Sequence, residues 1–216
     1  PDDILVYERP DKPHYRFSVL MSDCGQYLHV HTNEGGENNL WHFHRFDQPL
    51  RPNITGPLRM EPVIEEFVSD NFYIANDGER TYFRTNFKTP NNRLAVIEKI
   101  TNPDSRHHSK WIDLIPEHPH DVLETVMPVR QDILVTSYIH DVSHRLSLRR
   151  LTDGSLIKEI ELPLGALTGF SGERQQDEIF YKFTSFLMPG IIYHLKLDAE
   201  LKNEPTIFRE SKPAGF

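Results

Sequence analysis

The chain has 216 residues, of which 38% are hydrophobic, 11% aromatic and 26% charged; this composition is typical of a folded globular protein and excludes a disordered one. Its 32 acidic residues against 24 lysines and arginines give a formal net charge of -8, which argues against nucleic acid as a partner. The longest apolar runs reach about five residues, far short of the ~20 that cross a bilayer, so no membrane partner is expected.

A single cysteine, Cys24, excludes an internal disulfide and a cysteine-based zinc site of ordinary spacing. A reducing, cytoplasmic setting fits this best. No glycine-rich phosphate loop or dinucleotide fingerprint occurs, so no cofactor is expected. The chain starts at Pro1 without a methionine or a signal-like segment, and we expect it to be part of a longer protein.

Taken in chain order, short β-like runs recur between turn residues, and few windows show a helical period. Explicit turn signals such as Asn76-Asp-Gly and Thr152-Asp-Gly separate them. The predicted strands are Ile4–Glu8, Phe17–Met21, Gln26–His31, Asn39–Arg45, Val63–Val68, Asn71–Ala75, Arg80–Asn86, Arg93–Ile100, Val122–Val129, Asp132–Ile139, Arg145–Leu151, Leu156–Leu162, Ala166–Gly172, Glu178–Ser185, Ile191–Leu197 and Thr206–Phe208.

These strands fall into a repeating unit of four, which is typical of propeller blades when the period is ~40–50 residues. The third strand of each unit aligns at Leu40, Leu94, Leu146 and Ile192. The pattern therefore predicts an all-β fold with about four four-stranded blades, and Ile4–Glu8 as a strand that could close a preceding blade. A pair of β-sandwiches is the alternative, because irregular all-β chains also carry frequent turn signals.

Neither of the two tempting serines is predicted to be a nucleophile. The run TGFSGE at 168–173 resembles a nucleophile elbow, but Gly172 stands one place early and no helix follows. Ser185 lies in an aromatic-rich strand without bracketing glycines, so we interpret it as a strand residue. The doublets Asp2-Asp3 and Glu65-Glu66 are interpreted as solvated charge.

Histidines offer the only candidate metal ligands. His29 and His31, like His42 and His44, are spaced to lie on one face of a strand, so four imidazoles could converge if the two strands pair. No acidic residue of matching spacing accompanies them, and we predict no metal site. The histidines of PEHPHD at 116–121 and of the pair at 107–108 are predicted to lie in solvated loops.

Several segments together resemble the β-propeller of the prolyl oligopeptidase (prolyl endopeptidase) family of serine peptidases, and they span nearly the whole chain. Their order and spacing carry the resemblance more than any one of them does. They are SDCGQYL (22–28), TNFKTPNNRL (85–94), LIPEHPHDVLE (114–124), SYIHDVSHRLSL (137–148), GFSGERQQDEIFYKFTSFLMPGIIYHLKL (169–197) and FRES (208–211).

The resemblance implies a seven-bladed propeller over a separate α/β-hydrolase domain that holds the catalytic serine, aspartate and histidine. This chain, residues 1–216, would supply about four of the blades and none of the catalytic residues. It further implies that short proline-containing peptides are cut after proline, in a monomeric parent whose own hydrolase domain is the propeller's partner. A propeller used as an interaction scaffold without a hydrolase is the alternative.

One loop of the family carries Arg-Glu-Gly and a small residue or cysteine beside the peptide path, and the matching stretch here is Asn33-Glu34-Gly35-Gly36. Asn33 in place of arginine removes a bidentate cationic donor. An apolar family position in the preceding strand corresponds to Arg16, whose charge could replace the lost one. We therefore expect Arg16, Asn33 and Gly36 to lie on the substrate path or at the inter-domain face.

Overall fold

The computed structural model of the protein describes residues 3–48, 54–185 and 190–211, and nearly all of its regular structure is β. One four-residue helix, α1 (Pro103–Arg106), and one 3-10 turn (His108–Lys110) lie between the strands that end at Ile97 and begin at Ile112. The strands are β1 (Arg16–Met21), β2 (Tyr27–Asn33), β3 (Asn39–Arg45), β4 (Glu61–Ile64), β5 (Asn71–Asp77), β6 (Arg80–Thr85), β7 (Arg93–Ile97), β8 (Ile112–Ile115), β9 (Val122–Val129), β10 (Ile133–His140), β11 (Ser143–Arg150), β12 (Leu156–Ile160), β13 (Ala166–Gly172), β14 (Glu178–Thr184), β15 (Ile191–Lys196) and β16 (Thr206–Glu210).

These strands form four four-stranded sheets in strict chain order: β1 to β4, β5 to β8, β9 to β12 and β13 to β16. Neighbouring strands such as β1 and β2 or β10 and β11 pair antiparallel, as expected for strands joined by short connections. Leu40, Leu94, Leu146 and Ile192 lie in the third strand of their respective sheets. The predicted four-stranded units and their alignment are therefore confirmed, and the alternative of two β-sandwiches is wrong.

The hairpins close where the sequence supplies residues that tolerate positive φ. Gly78 turns β5 into β6 at φ +60°, as the Asn-Asp-Gly signal predicts. The β10–β11 hairpin does the same without glycine, since Asp141 and Val142 have φ of +42° and +62°. A β-branched residue in this region is strained, and the side chain of Val142 is 95% exposed.

Three features differ from the predicted strands. Residues 4–8 form no strand, because Val6 accepts a single backbone hydrogen bond from Leu58 and no ladder follows. Strand β8 was not predicted; its IDLI sequence is too short to show a period. The predicted strand at Val63–Val68 instead begins at Glu61 and ends at Ile64.

The Pro189-Gly190 turn that the sequence predicts lies partly outside the described residues. Pro189 belongs to the gap at residues 186–189 between the described ranges. None of the helices among the described residues is long and apolar enough to cross a membrane.

Contacts divide the chain into two compact units. The first unit comprises Pro1–Thr89 and Leu94–Asp113, and the second comprises Pro90–Arg93 and Leu114–Phe216. Each has its own buried core. The first is built around Tyr27, Trp41, Phe43, Val63, Ile64, Tyr73, Phe83, Ala95, Ile97 and Ile100; the second around Val129, Ile133, Val135, Leu146, Leu148, Ile160, Leu167, Ile179, Tyr181, Phe183, Leu195 and Leu197.

Candidate functional site

The three residues expected on the substrate path lie together at one edge of the first sheet. Arg16 opens β1 and Asn33 ends β2, and the two are paired across the antiparallel ladder. Directly paired side chains have Cβ atoms ~4.5–5.5 Å apart. Gly36 lies in the loop that joins β2 to β3, which begins with Asn39. The fold thus brings Arg16 and Asn33 next to the loop of residues 34–38. We call this loop the rim loop.

Hydrogen bonds close the rim loop internally. The Asn33 side chain donates from Nδ2 to the Asn38 carbonyl at 3.2 Å, and Asn38 Nδ2 donates to the Phe67 carbonyl at 3.1 Å. The amide of Asn33 therefore ties the two ends of the loop together. The sequence shows the loss of the arginine but gives no sign of this structural use of its replacement.

A buried polar network holds the base of the rim loop. Asn39 Nδ2 donates to the Asn71 carbonyl at 2.8 Å and to Asp70 Oδ1 at 3.2 Å. Thr85 Oγ1 donates to Asn71 Oδ1 at 2.7 Å, and Arg84 pairs with Asp70 at 3.2 Å. Burial raises the pKa of Asp70 above its usual range, although the Arg84 charge opposes this. The network fixes where β3 starts and so fixes the loop before it.

The two glycines of the rim loop differ in their requirements. Gly35 has φ +79°, in the left-handed region that favours glycine. Gly36 has no positive φ, and a Cβ added to it would meet no atom within 4 Å. Beside it is an open cavity of about 410 Å³, lined by Glu34, Gly36, Glu37, Asn38 and Phe67. Gly36 therefore faces free space rather than packed protein.

Arg16 is exposed, and none of the carboxylates in the described part of the chain lies within ion-pair distance of it. Its neighbour across the ladder, Asn33, carries no charge. The guanidinium is thus a cation at the start of the rim loop that no described acidic group neutralises.

The four paired histidines do not converge. The β2–β3 register places His29 opposite Phe43 and His42 opposite Val30. Because directly opposed residues share a face and neighbours alternate, His29 and His31 lie on one face of the sheet and His42 and His44 on the other. The hypothesis of one four-histidine metal site is therefore wrong. Within the described ranges, no group of three or more ligating side chains has metal-binding geometry.

His29 and His31 are core residues instead. Both are almost fully buried; burial lowers the pKa of His29 to about 3 and that of His31 to about 4. Trp41 Nε1 donates to His29 Nδ1 at 3.2 Å, and the His29 ring stacks on Tyr73 at 4.0 Å. Neither ring nitrogen of His31 has a hydrogen-bond partner among the described residues. Both imidazoles are therefore neutral members of an aromatic core.

The second unit contains a charge cluster that the sequence did not reveal. Asp121, predicted to lie in a solvated loop, is only 3% exposed. Its carboxylate contacts His140 Nδ1 at 2.6 Å, Arg145 at 3.3 Å and His118 Nδ1 at 3.4 Å. Burial alone would raise the pKa of Asp121, but the His140 hydrogen bond and the three neighbouring charges lower it below its usual range. His118 is a local partner, whereas His140 and Arg145 lie on the β10–β11 hairpin, and nothing local in the sequence marks those two.

This cluster borders a cavity of about 480 Å³ between the segment after β8 and strands β11 and β12. Arg149 and Glu159 line it together with Asp121 and Arg145. Carboxylates and arginines thus both line this cavity.

Among the remaining candidates, Ser185 lies one residue beyond the strand in which it was expected. Ser171 lies inside β13, opposite Phe180, and a turn and a strand follow rather than a helix. Ser185 directly follows β14. Glu65 and Glu66 are exposed, whereas Asp2 lies outside the described residues. No serine in the described part of the chain sits at a strand-to-helix elbow.

Comparison with known proteins matches this architecture. The family model "Prolyl oligopeptidase, N-terminal beta-propeller domain" matches residues 1–206. A prolyl oligopeptidase of Omphalotus olearius is 28% identical over 232 residues, covering 99% of this chain and 28% of that protein. A dual function macrocyclase-peptidase of Amanita bisporigera is 26% identical over 219 residues, covering all of this chain and 28% of that protein.

Solved structures agree on the fold. Prolyl oligopeptidase B from Galerina marginata superimposes with a TM-score of 0.86 at 22% identity, covering 98% of this chain and 29% of that protein. The chain spans little more than a quarter of the length of these relatives.

Proposed function

This chain belongs to the prolyl oligopeptidase family as part of its N-terminal β-propeller domain, and from that premise we propose that its parent protein is a serine endopeptidase that cleaves short peptides after proline. The chain contributes about four of seven blades. Its role is steric: a propeller placed over the active site admits short peptides and keeps folded proteins out. A separate α/β-hydrolase domain of the parent supplies nucleophile, base and oxyanion hole.

The observation that carries the proposal is the family match over residues 1–206, in a chain whose described residues contain no serine at a strand-to-helix elbow. A propeller without its own nucleophile acts on peptides only through a partner domain. Several relatives named prolyl oligopeptidase, and one named a dual function macrocyclase-peptidase, contain a region similar to this chain in a protein more than three times as long.

Within the proposed peptide path, Arg16 takes over the charge that the family arginine provides from position 33. Two observations support this: Arg16 is the ladder partner of Asn33, and no described carboxylate pairs with it. A guanidinium at this edge can hold a peptide carbonyl or carboxylate. Asn33 shapes the rim loop from within, and Gly36 leaves the adjoining cavity open to a peptide.

The family resemblance supplies the partners of the proposal, and the composition supports what it leaves out. The partners are short proline-containing peptides and the parent's own hydrolase domain, without nucleic acid, membrane or cofactor. The net charge of -8 and the single cysteine support a monomeric parent in the cytoplasm.

The proposal is tested by assaying the full-length parent and the 216-residue chain side by side on a short Gly-Pro reporter peptide. We expect turnover by the parent only, with a linear product in which water has been added after proline. Turnover by the isolated chain would overturn the assignment of catalysis to another domain. A parent reading frame that lacks a G-x-S-x-G strand-helix segment after Phe216 would favour the scaffold alternative.

Arg16 is tested in the same assay with Arg16→Gln. We expect KM for the reporter peptide to rise about fivefold with kcat nearly unchanged, because a binding contact is lost rather than a transition-state contact. The double variant Arg16→Gln/Asn33→Arg should recover most of the loss by returning the charge to the family position. Arg59→Gln, another exposed arginine of the first unit, serves as the matched control. An unchanged KM in Arg16→Gln would remove Arg16 from the peptide path.

A further inference from the structure

A second cavity of the first unit is lined by aromatic rings and carboxylates. Its volume is about 350 Å³. Phe87, His108 and Trp111 line it, together with the adjacent carboxylates Glu65 and Glu66. We call these five residues the aromatic pocket. None of them belongs to the rim loop, so its function is not accounted for by the peptide path proposed above.

The three rings form walls that meet at steep angles. The Phe87 and His108 centroids are 4.8 Å apart at 47°, and those of Phe87 and Trp111 are 5.6 Å apart at 71°. His108 and Trp111 complete the set at 6.4 Å and 80°. All three rings line one small volume, and a π face turned toward that volume attracts an organic cation.

The Trp111 wall is held rigidly in place. Its Nε1 donates to the Arg106 carbonyl at 2.8 Å, and its ring packs edge-on against the buried Phe83 at 4.9 Å. A wall fixed by a hydrogen bond and by core packing needs no rearrangement to receive a ligand, so little ordering cost opposes binding.

Arg106 also lines the cavity but does not make it cationic. Its side chain is only 8% exposed, and its guanidinium pairs with Glu61 and donates to the carbonyls of Ile100, Pro62 and Thr101. The charge is therefore already neutralised and hydrogen-bonded from within the fold.

The free charge of the pocket is negative. Glu65 and Glu66 are exposed, and no lysine, arginine or histidine in the described ranges lies within ion-pair distance of either. Cations are already drawn to this region, because Lys88 Nζ lies over the Phe87 ring at 5.4 Å from its centroid. Charge and ring faces thus select for the same class of ligand.

We propose that the aromatic pocket binds the lysine side chain of a peptide, with the ammonium between the rings and the carboxylates of Glu65 and Glu66. Val68, which also lines the cavity and is 53% exposed, offers an apolar surface for the four-carbon stem. A compact ammonium suits a small volume with two acceptors better than the planar guanidinium of arginine does. The site goes beyond the proposed peptidase function and stands on contacts of its own.

The test is a titration of the full-length protein, by isothermal calorimetry, with acetyl-Gly-Lys-Gly-amide. The norleucine analogue keeps the stem and lacks the ammonium. Neither peptide contains proline, so binding is measured apart from the cleavage that the proposed function predicts. We expect the lysine peptide to bind about tenfold more tightly than the norleucine peptide. Equal affinities would overturn the proposal.

Two variants locate the site. Glu65→Gln/Glu66→Gln removes both carboxylates at constant size, and Phe87→Leu removes one π face with little change in apolar volume. Each should weaken lysine binding at least about fivefold while leaving the norleucine peptide unaffected. The control Glu159→Gln/Glu161→Gln makes the same charge change in the second unit. If the control weakens binding as much as the Glu65/Glu66 variant, the effect is net charge and the pocket is not the site.

Discussion

The two units bury different kinds of side chain. The first unit encloses a stack of aromatic rings with two neutral imidazoles, His29 and His31, inside it. The second encloses mainly aliphatic residues such as Val135, Leu146 and Leu148, and keeps its buried charge, Asp121, fully paired near the surface loops. The same four-stranded repeat can therefore pack around an aromatic core or around an aliphatic one.

This difference shows that a polar group can be buried with or without a partner. Asp121 is buried beside Arg145, His118 and His140, and its lowered pKa keeps it charged. His31 is buried without a hydrogen-bond partner among the described residues, and burial lowers its pKa, so it stays neutral. The stability of the first unit should therefore fall in acid, and that of the second unit should fall when the pairing of Asp121 is lost.

Acidification should give the largest difference between the units. Because the pKa values of His29 and His31 fall to about 3 and about 4 in the fold, the unfolded chain binds more protons between about pH 4 and about pH 6.5. The free energy of unfolding therefore falls with pH, by up to about 2 kcal/mol for each histidine between about pH 6.5 and pH 5.

Hydrogen exchange on the full-length protein measures this by comparing β2 and β3 with β10 and β11 at about pH 7.5 and pH 5, after correction for the intrinsic pH dependence of exchange. Protection in the first unit should fall by the larger amount. Equal losses in both units would contradict the assignment of acid sensitivity to the two imidazoles.

A close backbone approach in the second unit should give the next largest effect. Gly154 has φ +71°, and a Cβ added there would lie 2.2 Å from the Leu114 carbonyl oxygen. Gly154→Ala should cost about 3 kcal/mol or more in the free energy of unfolding. Gly36→Ala in the rim loop meets open space and should change it by less than about 0.5 kcal/mol. Urea unfolding of the two variants measures both, and similar costs would refute the contrast.

Removal of the paired buried charge should follow in size. Asp121→Asn loses the contacts to His140 and Arg145 and should destabilise the second unit by about 2 kcal/mol at pH 7. Asp70→Asn in the first unit should cost less than about 1 kcal/mol, because burial already disfavours the charged form of Asp70.

The contribution of Asp121 to stability should also be lost in a different pH range from that of the two histidines. The pKa of Asp121 is lowered in the fold, so its stabilisation is present above the unfolded value of about 3.9 and is lost only as pH falls through the folded value. Thermal unfolding at pH 7 and pH 5 should show the same deficit for Asp121→Asn at both. A deficit that vanishes at pH 5 would contradict this.

The smallest expected change comes from His31→Phe. Neither His31 nitrogen has a partner among the described residues, and the ring stacks between Trp41 and Phe72, so phenylalanine should be neutral or stabilise by up to about 1 kcal/mol at about pH 7.5. His29→Phe should instead destabilise, because it leaves Trp41 Nε1 without its acceptor. Thermal unfolding of both variants separates the two cases, and a loss of stability in His31→Phe would show that its imidazole has a partner.

Most of the fold could be predicted from the sequence, because hairpin turns and strand periodicity are local signals. The four-strand repeat and its alignment at Leu40 and Leu146 follow from such signals alone. Pairing is not local: the segment 4–8 has the composition of a strand, yet it forms no ladder with any strand of the described ranges. Strand β8 has a neighbouring strand and forms in only four residues.

The sequence could predict the candidate site only where neighbouring positions in the chain are enough to bring residues together. The family motif places Asn33 and Gly36 in one loop, and the structure adds that Arg16 is the ladder partner of Asn33. The register between β2 and β3 determines which face of the sheet each pair of histidines occupies. Spacing shows that two histidines share a face within a strand, but not whether the pairs of two strands share one. The contacts of Asp121 join segments about twenty residues apart, and no pattern within either segment encodes them.

Both tryptophans of the chain, Trp41 and Trp111, lie in the first unit. The intrinsic indole emission of the isolated chain is therefore an optical signal of that unit alone, and the second unit contributes only tyrosine. Trp41 also donates its indole N–H to His29, with ring centroids 5.6 Å apart, and a protonated imidazole at that distance is a quencher of indole emission. The same contact that builds the aromatic core thus makes the emission intensity of Trp41 an internal indicator of the charge on His29.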